Sequence, residues 1–144
     1  MILISHRGNL TGPEPGRENS PSYIQEALSA GYNVEIDVWY RNQKWHLGHD
    51  EPRYEVEKDF FNPFMWCHAK NIDALKELSS LQAHCFWHQT DDVTLTSRGH
   101  LWTYPGVPLT PSSICVMPEY TSYSKEEIAT AAGICSDNIA KYQR

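Results

Sequence analysis

Apolar residues fall in short runs along this chain, separated by glycine- and proline-rich turns. Ile2, Leu3 and Ile4 suit a buried first strand that ends in His6, Arg7 and Gly8, where the glycine reads as a turn. After the loop GNLTGPEPGR comes a helix with legible ends. Ser20 caps it, Pro21 suits its first turn, Ile24, Ala27 and Leu28 make one apolar face, and Gly31 stops it. NVEIDVW is a second strand, so strand, helix and strand form a right-handed βαβ unit with a parallel pair. KWHLGHD is a further short extended piece after a turn at Asn42. PFMWCHAK is a strand leading into a helix capped by Asn71, with Ile72, Leu75 and Leu78 inward. AHCFWHQ, GHLWTYPG and SICVMPEY add three more strands. Ser124 and Glu127 form a capping box on a helix predicted to end at Gly133, and GICSDN is the last strand. No linker or repeat divides residues 1–144, so one α/β domain with about seven parallel strands is expected.

Composition narrows the function classes. Hydrophobic residues at 40% and charged residues at 21% are ordinary for a soluble globular chain, and 144 residues suffice for a real core. The net charge of −6, with no Lys/Arg cluster, argues against a nucleic-acid or anionic-membrane partner. No membrane span or signal peptide is evident, which makes the cytoplasm the expected location. Cys67, Cys85, Cys115 and Cys135 lack CxxC spacing and sit in apolar runs, so they are expected in the core as free thiols.

Candidate chemistry follows from strand alternation. Val34, Ile36 and Val38 share one face of NVEIDVW, and Glu35, Asp37 and Trp39 share the other. Two carboxylates about 7 Å apart along a strand can converge on one hard cation. The alternative is a solvated acidic face, but a parallel sheet covered by helices leaves neither face wet. Alternation also aligns Ile2, Ile4 and His6; Trp66, His68 and Lys70; and His84, Phe86 and His88. Ionisable groups therefore gather toward the C-terminal ends of several strands, where α/β barrels and open sheets place their active sites.

Four ordered blocks, His6-Arg7-Gly8, Glu18-Asn19-Ser20, Glu35-Ile36-Asp37 and His49-Asp50, resemble the glycerophosphodiester phosphodiesterases, a family of the phosphatidylinositol phospholipase C-like superfamily. AKN and GICSDN resemble that family's lysine-bearing strand and final strand. The resemblance implies a TIM-type barrel and cleavage of a small phosphodiester. It implies His6 and His49 as general acid and base, and Arg7 as the clamp on phosphoryl oxygens. It further implies Glu35 and Asp37 as ligands of one divalent cation, Glu18 as a polar residue close by, and Lys70 directed at the phosphate. Mg²⁺ or Ca²⁺ is the family's expectation. Where the family often has a third carboxylate, this chain has His68, which would shift preference from Ca²⁺ towards Mn²⁺ or Zn²⁺, or leave a weaker Mg²⁺ site. Arg17 stands where the family has proline.

The chain is also short for a barrel of about 200 residues or more. Helices shortened or missing, in a compact or incomplete barrel, are therefore expected. Trp66, Trp87 and Trp102 lie in different strands, and some of them are expected to face outward. Phe60, Phe61 and Phe64 offer cover for outer faces, which favours a monomer over a homodimer. The alternative to an enzyme is a shrunken barrel that only binds phosphate esters, although a decayed site would have lost some of His6, Arg7, Glu35, Asp37 and His49.

Overall fold

The computed structural model describes residues 1–143. In chain order its elements are β1 (Ile2–His6), α1 (Pro21–Ser29), β2 (Asn33–Arg41), β3 (Lys44–Leu47), β4 (Tyr54–Val56) and β5 (Met65–Ala69). Then come α2 (Ile72–Ser80), β6 (Cys85–Trp87), β7 (Val93–Leu95), β8 (Leu101–Thr103), β9 (Ser113–Val116), α3 (Lys125–Ala129) and β10 (Gly133–Ser136).

Seven strands pair in parallel in the order β6, β5, β2, β1, β10, β9, β8. The first and last strands of the chain are neighbours in the middle of this order, with Ser5 opposite Ser136. Antiparallel pieces extend it: β3 and β4 continue from the far end of β2, and β7 pairs with β8. The result is a mixed α/β molecule whose sheet curls on itself and carries few helices. Curling is evident because β5 and β6 meet β8, although they stand toward opposite ends of the pairing order. Trp66 and Trp102 have ring centroids 5.8 Å apart, and Phe86 stacks on Trp102 at 4.6 Å. No ladder joins β6 to β8 among the described residues. Residues 93–97 bridge the interval instead: Thr94 Oγ1 donates to the Trp87 carbonyl (2.7 Å) and the Ser97 amide donates to the Cys85 carbonyl (2.8 Å).

Strand alternation divides the side chains between the inside and outside of the curl. Ile4, Trp66, Phe86, Trp102, Ile114, Val116 and Cys135 fill the inside. Val34, Ile36, Val38, Met65, Cys67 and Cys85 face outward and are covered by Ile24 and Ala27 of α1 and by Ala74 and Leu78 of α2. A third cluster, with Cys115, Ile134 and Ile139, packs under Ile128 of α3 and the turn at Ile139–Tyr142. All four cysteines are buried free thiols, as the spacing suggested.

The caps are as read: Ser20 accepts from the Tyr23 amide, Asn71 from the Ala74 amide, and Ser124 with Glu127 closes a capping box. Several expectations need correction. Ile72 is 74% exposed because it occupies the first helical position, where the side chain precedes the buried stripe of Ala74 and Leu78. The last helix ends at Ala129, and Gly133 opens β10 instead. Of the three tryptophans, only Trp87 packs with the outer cluster; Trp66 and Trp102 lie inside. Phe60 and Phe61 do cover the outer face, but Phe64 is exposed. The short strands β4 and β7 were not foreseen. No helix among the described residues is long and apolar enough to cross a membrane.

Candidate active site

Three strands build the core of the site, each through its own alternation. β1 delivers His6 and then turns sharply: Arg7 has φ 60° and Gly8 has φ 98°. A Cβ on Gly8 would lie 2.5 Å from the Tyr23 ring, so only glycine lets this turn sit against α1. β2 delivers Glu35 and Asp37, both fully buried or nearly so, β5 delivers His68, and Lys70 follows that strand. The register sets Asp37 opposite His68 and His6 opposite Glu35.

A cleft of about 460 Å³ opens over these ends, and His6, Arg7, Glu35, His49, His68 and Lys70 line it. His6 Nδ1 donates to Asp137 Oδ1 at 2.7 Å, which leaves Nε2 toward the cleft, 3.4 Å from Glu35 Oε2. Asn9 Nδ2 also bonds Asp137 Oδ1 (2.8 Å) and Glu18 Oε2 (3.0 Å), tying these acids into one frame. Arg7 is held from two sides: Nε lies 3.0 Å from Asp37 Oδ2, and one terminal nitrogen donates to Glu18 Oε1 at 3.3 Å. Asn19, in a left-handed conformation at φ 67°, grips Asp37 twice. Its Nδ2 donates to Asp37 Oδ2 and its Oδ1 accepts from the Asp37 amide, both at 2.9 Å.

Glu35, Asp37 and His68 each offer a ligand atom within 4.8 Å of the other two, a spacing that fits one cation. Two observations support that fit. Both Glu35 oxygens and Asp37 Oδ1 are buried without a hydrogen-bond partner, an expensive state for carboxylates. In addition, His68 Nε2 donates to the His88 carbonyl (3.1 Å), so that nitrogen carries the proton. In the neutral ring, Nδ1 then presents a lone pair 3.2 Å from Asp37 Oδ1, and a cation or a second proton relieves that repulsion.

The electrostatics separate the two carboxylates. Burial, reinforced by the neighbouring Asp37 charge, pushes Glu35 upward from the ordinary range. Burial would raise Asp37 too, but the adjoining His68 ring, the Arg7 charge and the Asn19 amide outweigh it and hold Asp37 well below. For His6, burial opposes the charged ring, yet Glu35 and the bond to Asp137 prevail and its pKa is raised.

The structure thus brings seven of the eight residues singled out by sequence around one cleft or its immediate wall. Glu18 is the eighth: it stands apart from the Glu35–Asp37–His68 group and instead pairs with Arg7 and lines an adjoining cleft. His49 sits in the exposed loop after β3, its Nδ1 2.8 Å from Asp50 Oδ1, and lines both clefts. Asp137 was missed, although its alternation with Cys135 repeats that of His6 with Ile4. Asn19 lay inside a quoted motif, but its grip on Asp37 shows only in three dimensions. Comparison with family models, curated proteins and solved structures finds no match to the chain.

Proposed function

We propose that this chain is a metal-dependent phosphodiesterase of the glycerophosphodiester phosphodiesterase type, acting on a small phosphodiester by His/His acid–base catalysis. One observation carries the reading: acid–base, anion-binding and cation-binding groups from separate strands meet in one cleft, where three buried carboxylate oxygens lack partners. The curled sheet fits an incomplete (β/α) barrel of that family. Its location would be the cytoplasm.

Arg7, immobilised by Asp37 and Glu18, presents a fixed guanidinium to a phosphoryl oxygen, and Lys70 adds a second positive charge on the same wall. A divalent cation held by Glu35, Asp37 and His68 would polarise the phosphoryl group and offset its charge. His6, oriented through Nδ1 by Asp137, has Nε2 available to take or give a proton at one ester oxygen. His49, beside Asp50 and in the cleft lining, would serve the other. Asn9 and Asn19 keep the carboxylates that position these groups from rotating.

Turnover of glycerophosphodiesters and bis(p-nitrophenyl) phosphate, with Mg²⁺, Mn²⁺, Ca²⁺ or Zn²⁺ and with chelator, tests the proposal. Cleavage should require a divalent cation, and His6→Ala should lower kcat by about 100-fold or more without loss of fold. Glu35→Gln should weaken cation binding, measured calorimetrically on metal-stripped protein, by about tenfold or more. Phosphate-ester binding without cation-dependent turnover would instead make the chain a binding module.

A further inference from the structure

The cleft that holds the reacting groups has two unlike walls. Against the charged wall of His6, Arg7, Glu35 and Lys70 stands a wall made by Trp102, Tyr104, Val116, Met117 and Tyr120. These residues come from the ends of β8 and β9 and the loops that follow them. Nothing in the proposed chemistry uses them. Two of the aromatic rings are held by stacking, Tyr104 by His88, which lines the same cleft, and Trp102 by Phe86 beneath it. The first pair has centroids 3.8 Å apart and planes 18° apart, the second 4.6 Å and 28°. Rings already immobilised lose little side-chain entropy when a flat group packs on them. At the rim Tyr120 is 69% exposed, a large apolar surface beside an open cleft. Met117 holds a left-handed backbone at φ 50°, a strained state for a non-glycine residue that recurs at functional sites.

A second cleft of about 310 Å³ adjoins the first and is lined mainly by polar and charged residues, Glu18, Asn19, Glu51 and Arg53 among them. Arg7 and His49 line both clefts. An anion gripped by Arg7 would therefore sit at a junction from which two arms lead into unlike surroundings, aromatic side chains lining only the first.

We infer that the substrate is an asymmetric phosphodiester: one alcohol arm planar and aromatic, lying against Tyr104 and Tyr120, the other hydroxyl-rich, lying in the smaller cleft. The inference rests on the proposed phosphodiesterase reading for the position of the phosphate. The aromatic wall supplies stacking area to the first arm, and the Glu51 carboxylate and Arg53 guanidinium of the smaller cleft supply an acceptor and donors to hydroxyls of the second.

Phosphinates test it, because both arms are attached through P–C bonds that resist cleavage while the group keeps the single negative charge of a diester. Three probes are compared by calorimetry in the presence of Mn²⁺: phenyl 2,3-dihydroxypropyl phosphinate, its bis(2,3-dihydroxypropyl) analogue and its diphenyl analogue. The mixed probe should bind about tenfold tighter than either symmetric one. Tyr120→Ala, at an exposed position, and Tyr104→Leu should each shrink its advantage over the bis(dihydroxypropyl) probe. Glu51→Ala should shrink its advantage over the diphenyl probe. Equal affinities, preferences unchanged in these variants, or no binding by any probe would overturn the inference. Turnover is read separately on glyceryl phenyl phosphate. Cleavage without a binding preference removes the inference and leaves the proposed activity standing; a preference without cleavage does the reverse.

Discussion

Beneath the cleft, the His84 ring packs on Trp66 with centroids 4.0 Å apart and pairs with Thr96 Oγ1 at 2.8 Å. Burial first, then the charges of Arg98 and His100, push its pKa down from 6.5 to about 4. The folded chain thus refuses a proton that the unfolded chain accepts between these values. Stability should be fully present above pH 6.5 and should fall as pH drops toward about 4, by at most about 3 kcal/mol from this group. Thermal unfolding at pH 7 and pH 5 checks this, because His84→Gln should narrow the loss seen in the parent protein. An equal loss in both would show that other groups carry the acid sensitivity. Asp37, equally buried, behaves in the opposite sense to its neighbour Glu35 because Arg7, His68 and Asn19 all address it. Residue type alone does not separate the two acids; the donors around each do.

At the scale of elements, the junction between β2 and α2 rests on one side chain. Asn71 Oδ1 accepts from the Ala74 amide, capping α2, and also from the Tyr40 amide at 3.2 Å. Its Nδ2 donates to the Tyr40 carbonyl at 2.9 Å. Asn71 therefore satisfies orphan groups of a helix start and of a strand that has run past its parallel partner. Asn71→Ala should cost about 2 kcal/mol, the loss of a cap plus buried backbone groups left unpaired. Urea denaturation should show a lower midpoint with an unchanged slope. A cost within about 0.5 kcal/mol would mean that water replaces the side chain at little expense. A similar constraint governs the loop carrying His49. A Cβ on Gly48 would lie 2.0 Å from the Glu51 carbonyl oxygen, so the turn that presents His49 closes only around glycine.

For the whole molecule, the question is how so short a chain covers a curled sheet with the three short α-helices among its described residues. α1 and α2, with Phe60 and Phe61, cover the flank of β2, β5 and β6. α3, Tyr123 and Tyr142 cover the flank of β9 and β10. The edges at β6 and β8 are occupied by residues 93–97, which limits the exposed backbone that would otherwise invite pairing with a second chain. The protein should therefore sediment at micromolar concentration as a single species near 16.5 kDa. A species of twice that mass would show that residues such as Phe64 and Leu95, both largely exposed, are covered by a partner copy.

Several features were legible in the chain because their causes are local. The inward or outward sense of Glu35, Asp37, Trp66 and His68 follows from the two-residue period of a strand, and the starts of the three helices follow from Ser20, Asn71 and Ser124 bonding amides three residues on. That the chain holds about seven main strands was legible for the same reason. Which strands become neighbours was not, because ladder hydrogen bonds join backbone groups that are alike at every residue. The pairing of β1 with β10 brings Asp137 to His6 across 131 positions of chain, and Asn19 reaches Asp37 only once α1 has folded back on β2. The three-dimensional fold likewise decided that β7 would occupy the interval between β6 and β8, and that Ile72 would stay outside while Ala74 and Leu78 packed. Local sterics and caps shape each element; long-range packing, blind to separation along the chain, selects the company each side chain keeps.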